Sequence, residues 1–503
     1  MANSEISFDI AVIGGGVNGT GVARDATGRG ARVLLLEQGD LAQGTSSAST
    51  KLIHGGLRYL ERYEFGLVRE ALSERERLWA IAPHIIWPMR FVLPHRKGMR
   101  PAWLLRLGLF LYDHIGGRKL LPATKTVDMR AHQAGEPLQS GFGKAFEYSD
   151  GWVDDSRLVV LNARDAANRG AEIRTRTQVT EIERSGDVWN ITTVSPDGKT
   201  ESFTAHSIVN AAGPYVLQLM KLAKLKSSGK MRLVRGSHIV ARRLFDHDYA
   251  YFFQLPDNRI FFAIPYERDF TLIGTTDQDH EGSIADAKAT PSEIEYLCDG
   301  ANQYFSKQIT AKDVVWTYSG VRPLLDDGSG KPEAATRGYV LDLSDISDGP
   351  ALLNIFGGKI TSYRHLSESA IDKLSSRVPS LSGGHWTADT PLPGGDFPVS
   401  GAPQIKMQLI ERYSFLDAGT IDRIAKAYGT LAVKWLGDAK SAGDLGQDFG
   451  HGLRGAEVEY LLDQEWAQTA DDILWRRSKL GLHFDMAQVQ MLADFLSQRQ
   501  KQT

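Results

Sequence analysis

Phe8-Asp9-Ile10-Ala11-Val12-Ile13-Gly14-Gly15-Gly16-Val17-Asn18-Gly19 is the stretch on which the fold turns. Phe8 to Ile13 is an apolar run short enough for a strand, Gly14-x-Gly16-x-x-Gly19 supplies a turn, and Val17 to Gly28 has helical spacing. Arg32 to Leu36 is apolar again, which predicts a βαβ opening. Glu37 closes the second strand roughly 20 residues after the glycines. Each part has a physical task. Gly14 permits a tight turn, Gly16 lets a pyrophosphate approach the backbone, and Gly19 lets helix and strand pack closely. Val17 and Asn18 open the helix, whose unpaired N–H groups and positive dipole end suit a phosphate. Glu37 can accept hydrogen bonds from a ribose diol. The glycines alone are weak evidence, because turns use glycine freely. The strand context and the acid give them weight, but they do not choose between FAD and NAD.

Outward from this motif, the chain of 503 residues is 42% apolar, enough for a large core and about three domains by the usual size prior. A net charge of -3 offers no basic face for nucleic acid. Cys298 is the single cysteine, so no intrachain disulfide and no cysteine-based metal cluster can form, and no metal site is expected. A reducing compartment, the cytoplasm by default, is the expectation. The N-terminus shows no secretory pattern, and no stretch approaches the ~18 apolar residues of a spanning helix. Leu60 to Ala82 predicts an amphipathic helix ended by Pro83. Strands are predicted over Glu172–Glu183, Val188–Val194 and Ser202–Asn210. A second strand-rich block covers Met231–Ala241, Tyr249–Leu255, Arg259–Ile264 and Thr271–Thr275. Four prolines and three glycines between Pro391 and Pro403 break every period, and helical runs such as Tyr460–Trp475 and Met486–Leu496 follow.

After the second strand comes Thr45-Ser46-Ser47-Ala48-Ser49-Thr50-Lys51-Leu52-Ile53-His54-Gly55-Gly56-Leu57-Arg58-Tyr59-Leu60. Its small hydroxyl residues, paired glycines and cations suit close approach of backbone to a flat ligand carrying phosphate. With this segment the chain resembles the FAD-dependent, quinone-linked glycerol-3-phosphate dehydrogenases, within the D-amino-acid oxidase and glycine oxidase superfamily. Further motifs carry the resemblance: Pro94-His95-Arg96, Tyr148-Ser149-Asp150, Trp152-Val153-Asp154-Asp155, Asn210-Ala211-Ala212-Gly213-Pro214 and Arg235-Gly236-Ser237-His238. Ile273-Gly274-Thr275-Thr276-Asp277, Trp316 to Pro323 and Phe356-Gly357-Gly358-Lys359-Ile360-Thr361 complete them. It is strong over about the first 380 residues, and Arg476 to Leu482 extends it into the helical tail.

The resemblance implies a Rossmann-like α/β FAD-binding domain, an antiparallel-sheet substrate domain and an all-α C-terminal domain. The expected boundaries are 1–88, 145–230 and 318–388 for the first, 89–144 and 231–317 for the second, 389–403 for a linker and 404–503 for the third. To FAD it assigns Gly14, Gly16, Val17, Asn18, Gly19, Glu37, Gln38, Thr45, Ser46, Ser47, Lys51, Leu52, His54 and Gly55. Val179 would contact the adenine, Ala212 and Gly213 would pass beside the cofactor, and Gly357, Gly358, Lys359 and Thr361 would lie at the flavin. A phosphorylated alcohol needs cations and a proton acceptor. Arg58, Arg322, Arg337 and Lys359 are the implied cations, since a guanidinium fork suits phosphate, and Tyr59 and Thr276 could bond substrate oxygens. Taken singly, each arginine is more often a surface charge or an ion-pair partner. Arg322 and Lys359 are also the expected catalytic cations. His238 is the preferred base and His54 the rival, expected rather to support the flavin.

The implied reaction is oxidation of sn-glycerol 3-phosphate to dihydroxyacetone phosphate. An amine or amino-acid oxidase of the same superfamily is an alternative, for which four clustered cations are excessive. A redox-inactive FAD-binding module is another. No second nucleotide motif is visible, so the electrons are expected to reach a membrane quinone, with oxygen as the alternative acceptor. From Met89 to Lys119 there are seven Lys or Arg against one acid, Asp113. Inside this basic patch Trp103 to Tyr112 is apolar and too short to span a bilayer. Peripheral contact with the inner face of the cytoplasmic membrane is the expectation, burial in the core the alternative. Arg476-Arg477 reads as a solvated charge pair, and a homodimer is implied by the resemblance alone.

Overall fold

The computed structural model describes residues 7–96, 99–118, 120–225, 231–255, 259–325, 338–344 and 349–501, the side chains of Arg58, Glu61, Arg62 and Leu325 excepted. Two large sheets organise these residues. The first has eight strands, and its core is parallel: Ala351–Gly357, Thr200–Asn210, Ser7–Ile13, Val33–Leu36 and Glu172–Arg174 lie side by side in that order. Its strands are nearly continuous apolar runs because both faces are covered. Val33–Leu36 is buried at every position, and Ile10, Ala11 and Val12 are inaccessible. On one face the helix Val17–Gly28 packs beside Asp155–Asn168 through Val22, Ala23, Ala26, Val159, Ala163 and Ala166. Small side chains bring these helices close. An antiparallel ribbon, Gln178–Ser185 with Val188–Val194, and the edge strand Tyr339–Leu343 complete the sheet.

The second sheet has ten strands. Met231–Arg242 pairs antiparallel with both Phe270–Gly274 and Val314–Leu325, and Lys144–Val153 pairs with Ile86–His95. It is mixed rather than wholly antiparallel, since Ala250–Gln254 runs parallel to Ile86–His95. Residues 145–153 and 318–325, placed with the dinucleotide segments by the expected boundaries, hydrogen-bond within this second sheet. The C-terminal unit is helical apart from a two-stranded ribbon at Asp448–Gly450 and Leu453–Arg454.

Local differences from the sequence reading have identifiable causes. The helix predicted from Leu60 begins at Phe65, because left-handed residues at Gly56 and Tyr63 (φ 73° and 58°) bracket a separate 3₁₀ segment, Leu57–Arg62. The run Tyr460–Trp475 is two pieces. Gly455–Glu465 ends at Trp466 in the left-handed region (φ 56°), and the chain resumes as a π-helical turn, Asp472–Arg477. The basic, apolar stretch forms the helix Ala102–Ile115, and it is split lengthwise: Leu109 and Tyr112 are buried, whereas Trp103 is 69% and Phe110 49% exposed, with Leu104 and Leu107 beside them. Among the described residues no helix is long and apolar enough to cross a membrane.

Buried ion pairs tie distant segments together. Arg157 and Glu465 are both inaccessible, and Glu74 accepts from Arg364 Nε at 2.7 Å. Removing one member of such a pair leaves an uncompensated charge and costs about 3–5 kcal/mol.

Candidate active site

A cavity of about 1020 Å³ lies between the two sheets. At one end the first strand, its helix and the second strand converge as the sequence requires. A Cβ on Gly14 would come within 2.5 Å of the Ala211 carbonyl, and one on Gly19 within 1.9 Å of the Gly14 carbonyl. Those contacts let two strands and a helix start meet at van der Waals distance. Gly16 caps the helix without any side-chain bond, leaving the helix start to face the cavity. Glu37 accepts from the N–H groups of Gly15 at 2.6 Å and Gly39 at 2.7 Å. Burial pushes its carboxyl above the ordinary range, and those two N–H groups counter the shift. Ser46 Oγ accepts from Val17 N at 3.0 Å, which draws the 45–50 loop over the helix start.

At the other end, Gly357 and Gly358 adopt φ of 74° and 97° and bring backbone to the cavity wall. Asn18 Nδ2 donates to the Gly357 carbonyl at 3.2 Å, linking the two glycine-lined ends. Lys359 Nζ lies 3.8 Å over the Tyr59 ring. Arg322 is paired with Asp277, its Nη2 donates to Thr275 Oγ1 at 2.9 Å, and a Cβ at Gly236 would lie 2.2 Å from that Nη2. Glycine at 236 therefore makes room for the guanidinium. His54 Nδ1 accepts from Gly56 N at 3.1 Å, and the His54 backbone N–H donates to Thr361 Oγ1 at 3.3 Å.

Most expected residues converge here. Gly14, Gly16, Val17, Asn18, Glu37, Gln38, Thr45, Ser46, Ser47, Leu52, His54, Val179, Ala212, Gly213, Gly357, Gly358, Lys359 and Thr361 line the cavity, as do Tyr59 and Arg322. Gly19, Lys51 and Gly55 stand one layer behind. Lys51 is fully buried against Asp155 at 2.9 Å, and Gly55 donates to Tyr112 Oη at 2.7 Å. Thr276 also faces away, its hydroxyl donating to Glu293 at 2.8 Å while accepting from Ser237 N. His238 does not line the cavity. It is 1% exposed, stacks on Tyr318 with ring centroids 4.7 Å apart, and bonds through Nε2 to Thr50 Oγ1 at 2.9 Å. Burial, then the Arg322 charge, hold its pKa well below the usual histidine value, so it is neutral. Thr50 does line the cavity and stands between the two. Arg337 and the side chain of Arg58 lie outside the described residues.

Trp316, Tyr318, Tyr148 and Asp150 also line the cavity, as do Trp475 and Arg476 from the helical tail. The first four sit inside motifs that carry the resemblance, without a site role having been assigned to them. The last two gave no local signal. Arg476 and Arg477 are not a solvated pair: Arg477 is inaccessible, Arg476 is 15% exposed, and both bind Asp40.

These features fit a dinucleotide with a long planar partner, and the comparisons decide which. Residues 9–364 match the model of the FAD dependent oxidoreductases, and residues 385–500 match the C-terminal domain of alpha-glycerophosphate oxidase. The chain belongs to the FAD-dependent oxidoreductase family. Its cofactor is FAD. Among relatives, a glycerol-3-phosphate dehydrogenase of Pseudomonas aeruginosa is 49% identical over 97% of this chain and 95% of that one, and the aerobic glycerol-3-phosphate dehydrogenase of Escherichia coli is 46% identical over 97% of both. A D-erythritol 1-phosphate dehydrogenase of Brucella abortus is 50% identical, also over 97% of both. The solved glycerol-3-phosphate dehydrogenase of Bacillus halodurans, complexed with FAD, shares the fold at a TM-score of 0.78 and 26% identity, covering 98% of this chain and 92% of that one.

Proposed function

We propose that this oxidoreductase oxidises sn-glycerol 3-phosphate to dihydroxyacetone phosphate and delivers the electrons to a membrane quinone. One observation carries the reading: Arg322 and Lys359 enter the same cavity beside Gly357-Gly358, so cations for a phosphate stand next to the wall expected to bear the flavin. FAD held against Gly357 and Gly358 would supply the hydride acceptor for the alcohol carbon. The protein's own part is to bind, orient and take a proton. Arg322 offers a planar fork to phosphate oxygens, with Asp277 and Thr275 holding that fork in place. Lys359, steadied over the Tyr59 face, adds a point charge. Arg58 and Arg337 are proposed as further cations on the resemblance. His238, neutral because it is buried, is proposed as the proton acceptor acting through Thr50 Oγ1. His54, which lines the cavity directly, is the competing base. The His54→Asn and His238→Asn enzymes separate them, because only loss of the base removes the pH dependence of the reductive half-reaction.

Anaerobic addition of sn-glycerol 3-phosphate should bleach the oxidised flavin spectrum. Bleaching by glycine or a D-amino acid but not by the phosphate would mean an amine oxidase, and absence of turnover with any artificial acceptor would mean a redox-inactive module. A four-carbon polyol phosphate is a second reading, favoured by the 50% identity to the D-erythritol 1-phosphate dehydrogenase. The ratio of kcat/KM for the two phosphates decides between them.

The acceptor and the location belong to the same proposal. The exposed face Trp103, Leu104, Leu107 and Phe110, set in the basic 89–119 stretch, suits insertion at the headgroup level of an anionic cytoplasmic-face membrane. Polar residues at 103, 107 and 110 should release the enzyme from anionic vesicles and spare dye-linked turnover. Rates with a quinone analogue and with dissolved oxygen distinguish a dehydrogenase from an oxidase. A homodimer and the three-domain division, with its linker at 389–403, complete the proposal.

A further inference from the structure

The match to the FAD-dependent oxidoreductases ends at residue 364, and the chemistry above uses nothing from the helical C-terminal unit. One turn of that unit nevertheless grips the cofactor cavity at three places. Arg476 Nε reaches Asp40 Oδ2 at 2.5 Å, and Arg477 holds the same carboxylate with Nη1 at 2.9 Å and Nη2 at 2.8 Å. Asp40 is inaccessible and sits three residues beyond Glu37, in the loop that lines the expected ribose end. Lys479 Nζ donates to Ser156 Oγ at 2.8 Å and lies 3.7 Å from Asp155, whose carboxylate accepts from Ser49 Oγ at 2.8 Å and Lys51 Nζ at 2.9 Å. That is the far end of the same loop. Trp475 stacks on Trp316, ring centroids 4.4 Å apart, and both rings line the cavity.

The turn is itself rigid. Asp472 accepts from the N–H groups of Gln468 and Thr469, pairs with Arg476 at 2.5 Å, and pairs with Arg176 at 2.5 Å. Arg176 N in turn donates to the Gly39 carbonyl at 2.8 Å, which returns the network to the loop it holds. The loop from Glu37 to Lys51 is thus fastened at both ends by one piece of a unit that begins hundreds of residues later.

We propose that the segment Asp472–Lys479 is a clasp on FAD, which controls how long the cofactor stays bound by holding the 37–51 loop closed over it, with Trp475 and Arg476 forming part of the FAD site. A bound dinucleotide leaves only when the loop over it opens, and opening here strips buried carboxylates of their arginine and lysine partners, an expensive local event. The inference concerns cofactor retention and is independent of which alcohol is oxidised.

The test is the release of FAD from the holoenzyme, followed as flavin fluorescence after dilution, together with the melting midpoints of the holo and apo forms. Arg476→Gln keeps the Arg477–Asp40 pair, and Trp475→Leu removes only the ring. Each should release FAD at least tenfold faster and lower the holo midpoint by more than the apo midpoint. Lys406→Gln, which breaks a pair with Asp422 inside the same unit, should leave release unchanged. Asp40→Asn should exceed either single change if it folds, and the other two variants decide the matter if it does not. Release within twofold of the parent in both, or equal falls of the apo and holo midpoints, overturns the clasp. A protein that keeps FAD through this segment but ignores sn-glycerol 3-phosphate would overturn the proposed reaction alone.

Discussion

The two walls of the cavity are made of different material. The wall from the first sheet is backbone: Gly14, Gly16, Ala212, Gly213, Gly357 and Gly358 present N–H groups and carbonyls with almost no side chain between them and the cavity. The wall from the second sheet is side chain: Trp316, Tyr318, Phe252, Phe262 and Arg322. A Cβ at Gly14, Gly357 or Gly358 would come within 2.5, 2.7 and 2.8 Å of a neighbouring atom, whereas side-chain positions can change identity while the sheet behind them stays put. The first wall should therefore govern whether a cofactor binds at all, and the second what is done with it.

The sharpest way to break this contrast is Gly19→Ala. Its Cβ would lie 1.9 Å from the Gly14 carbonyl, within backbone that cannot yield cheaply, and the overpacking should cost about 3 kcal/mol. The expected product is colourless and takes up FAD more than about a hundredfold more weakly, measured by flavin titration of the apoprotein, with polyol specificity irrelevant. A yellow, fully active protein would show that the backbone wall is not rigid. Next in size is Arg322→Ala, which removes a charged fork worth about 3 kcal/mol; kcat/KM for the phosphate should fall about a hundredfold while the flavin spectrum is unaltered. Loss of FAD there instead would erase the distinction between the walls. Thr50→Val sharpens the comparison at the seam. If His238 acts through that hydroxyl, the anaerobic reduction rate should fall about tenfold, a typical fraction of general-base catalysis, and substrate affinity should hold.

The smallest effect is on stability and lies outside both walls. His84 is buried, neither ring nitrogen has a hydrogen-bond partner among the described residues, and burial lowers its pKa to about 3. The unfolded chain takes up a proton near pH 6.5 that the folded one refuses until about pH 3, so the unfolded state binds more protons in that window. Stability should thus be level above about pH 6.5 and fall as pH drops below it, by about 1.4 kcal/mol per unit for this residue. His84→Leu should remove that share of the loss between pH 7.5 and 5.5 in urea melts, and leave FAD retention unchanged.

The part of the backbone wall built by residues 8–37 was legible in the sequence because its signals are local, whereas Ala212, Gly213, Gly357 and Gly358 were placed there by the resemblance. Phe8 to Glu37 encodes strand, turn, helix, strand and acid within about 30 residues, although the contact that requires Gly14 is with Ala211, far along the chain. The strand-rich block from Met231 was legible for the same reason, since alternation is a short-range property. Side chains gathered from afar were harder. His238 and Arg322 come from antiparallel neighbours, paired in the sheet at His238 with Tyr318 and Val234 with Arg322. His238 stands directly opposite Tyr318 and shares its face of the sheet, so that it is covered by the Tyr318 ring and by Thr50 is a matter of side-chain packing, which the strand pattern does not show.

From its residues alone, this chain determined a dinucleotide cradle and the class of sheet that bears it, because glycine and β-branched residues act through local geometry, while the cations for a phosphorylated ligand were implied only by the resemblance. Only the tertiary structure decided which of those cations share a cavity with the glycines, that the preferred histidine stands one layer back, and that two arginines of the tail are buried on Asp40. A carboxylate and its partners separated by 436 and 437 positions leave no mark in either segment, since the desolvation that makes their pairing matter exists only after the chain has folded.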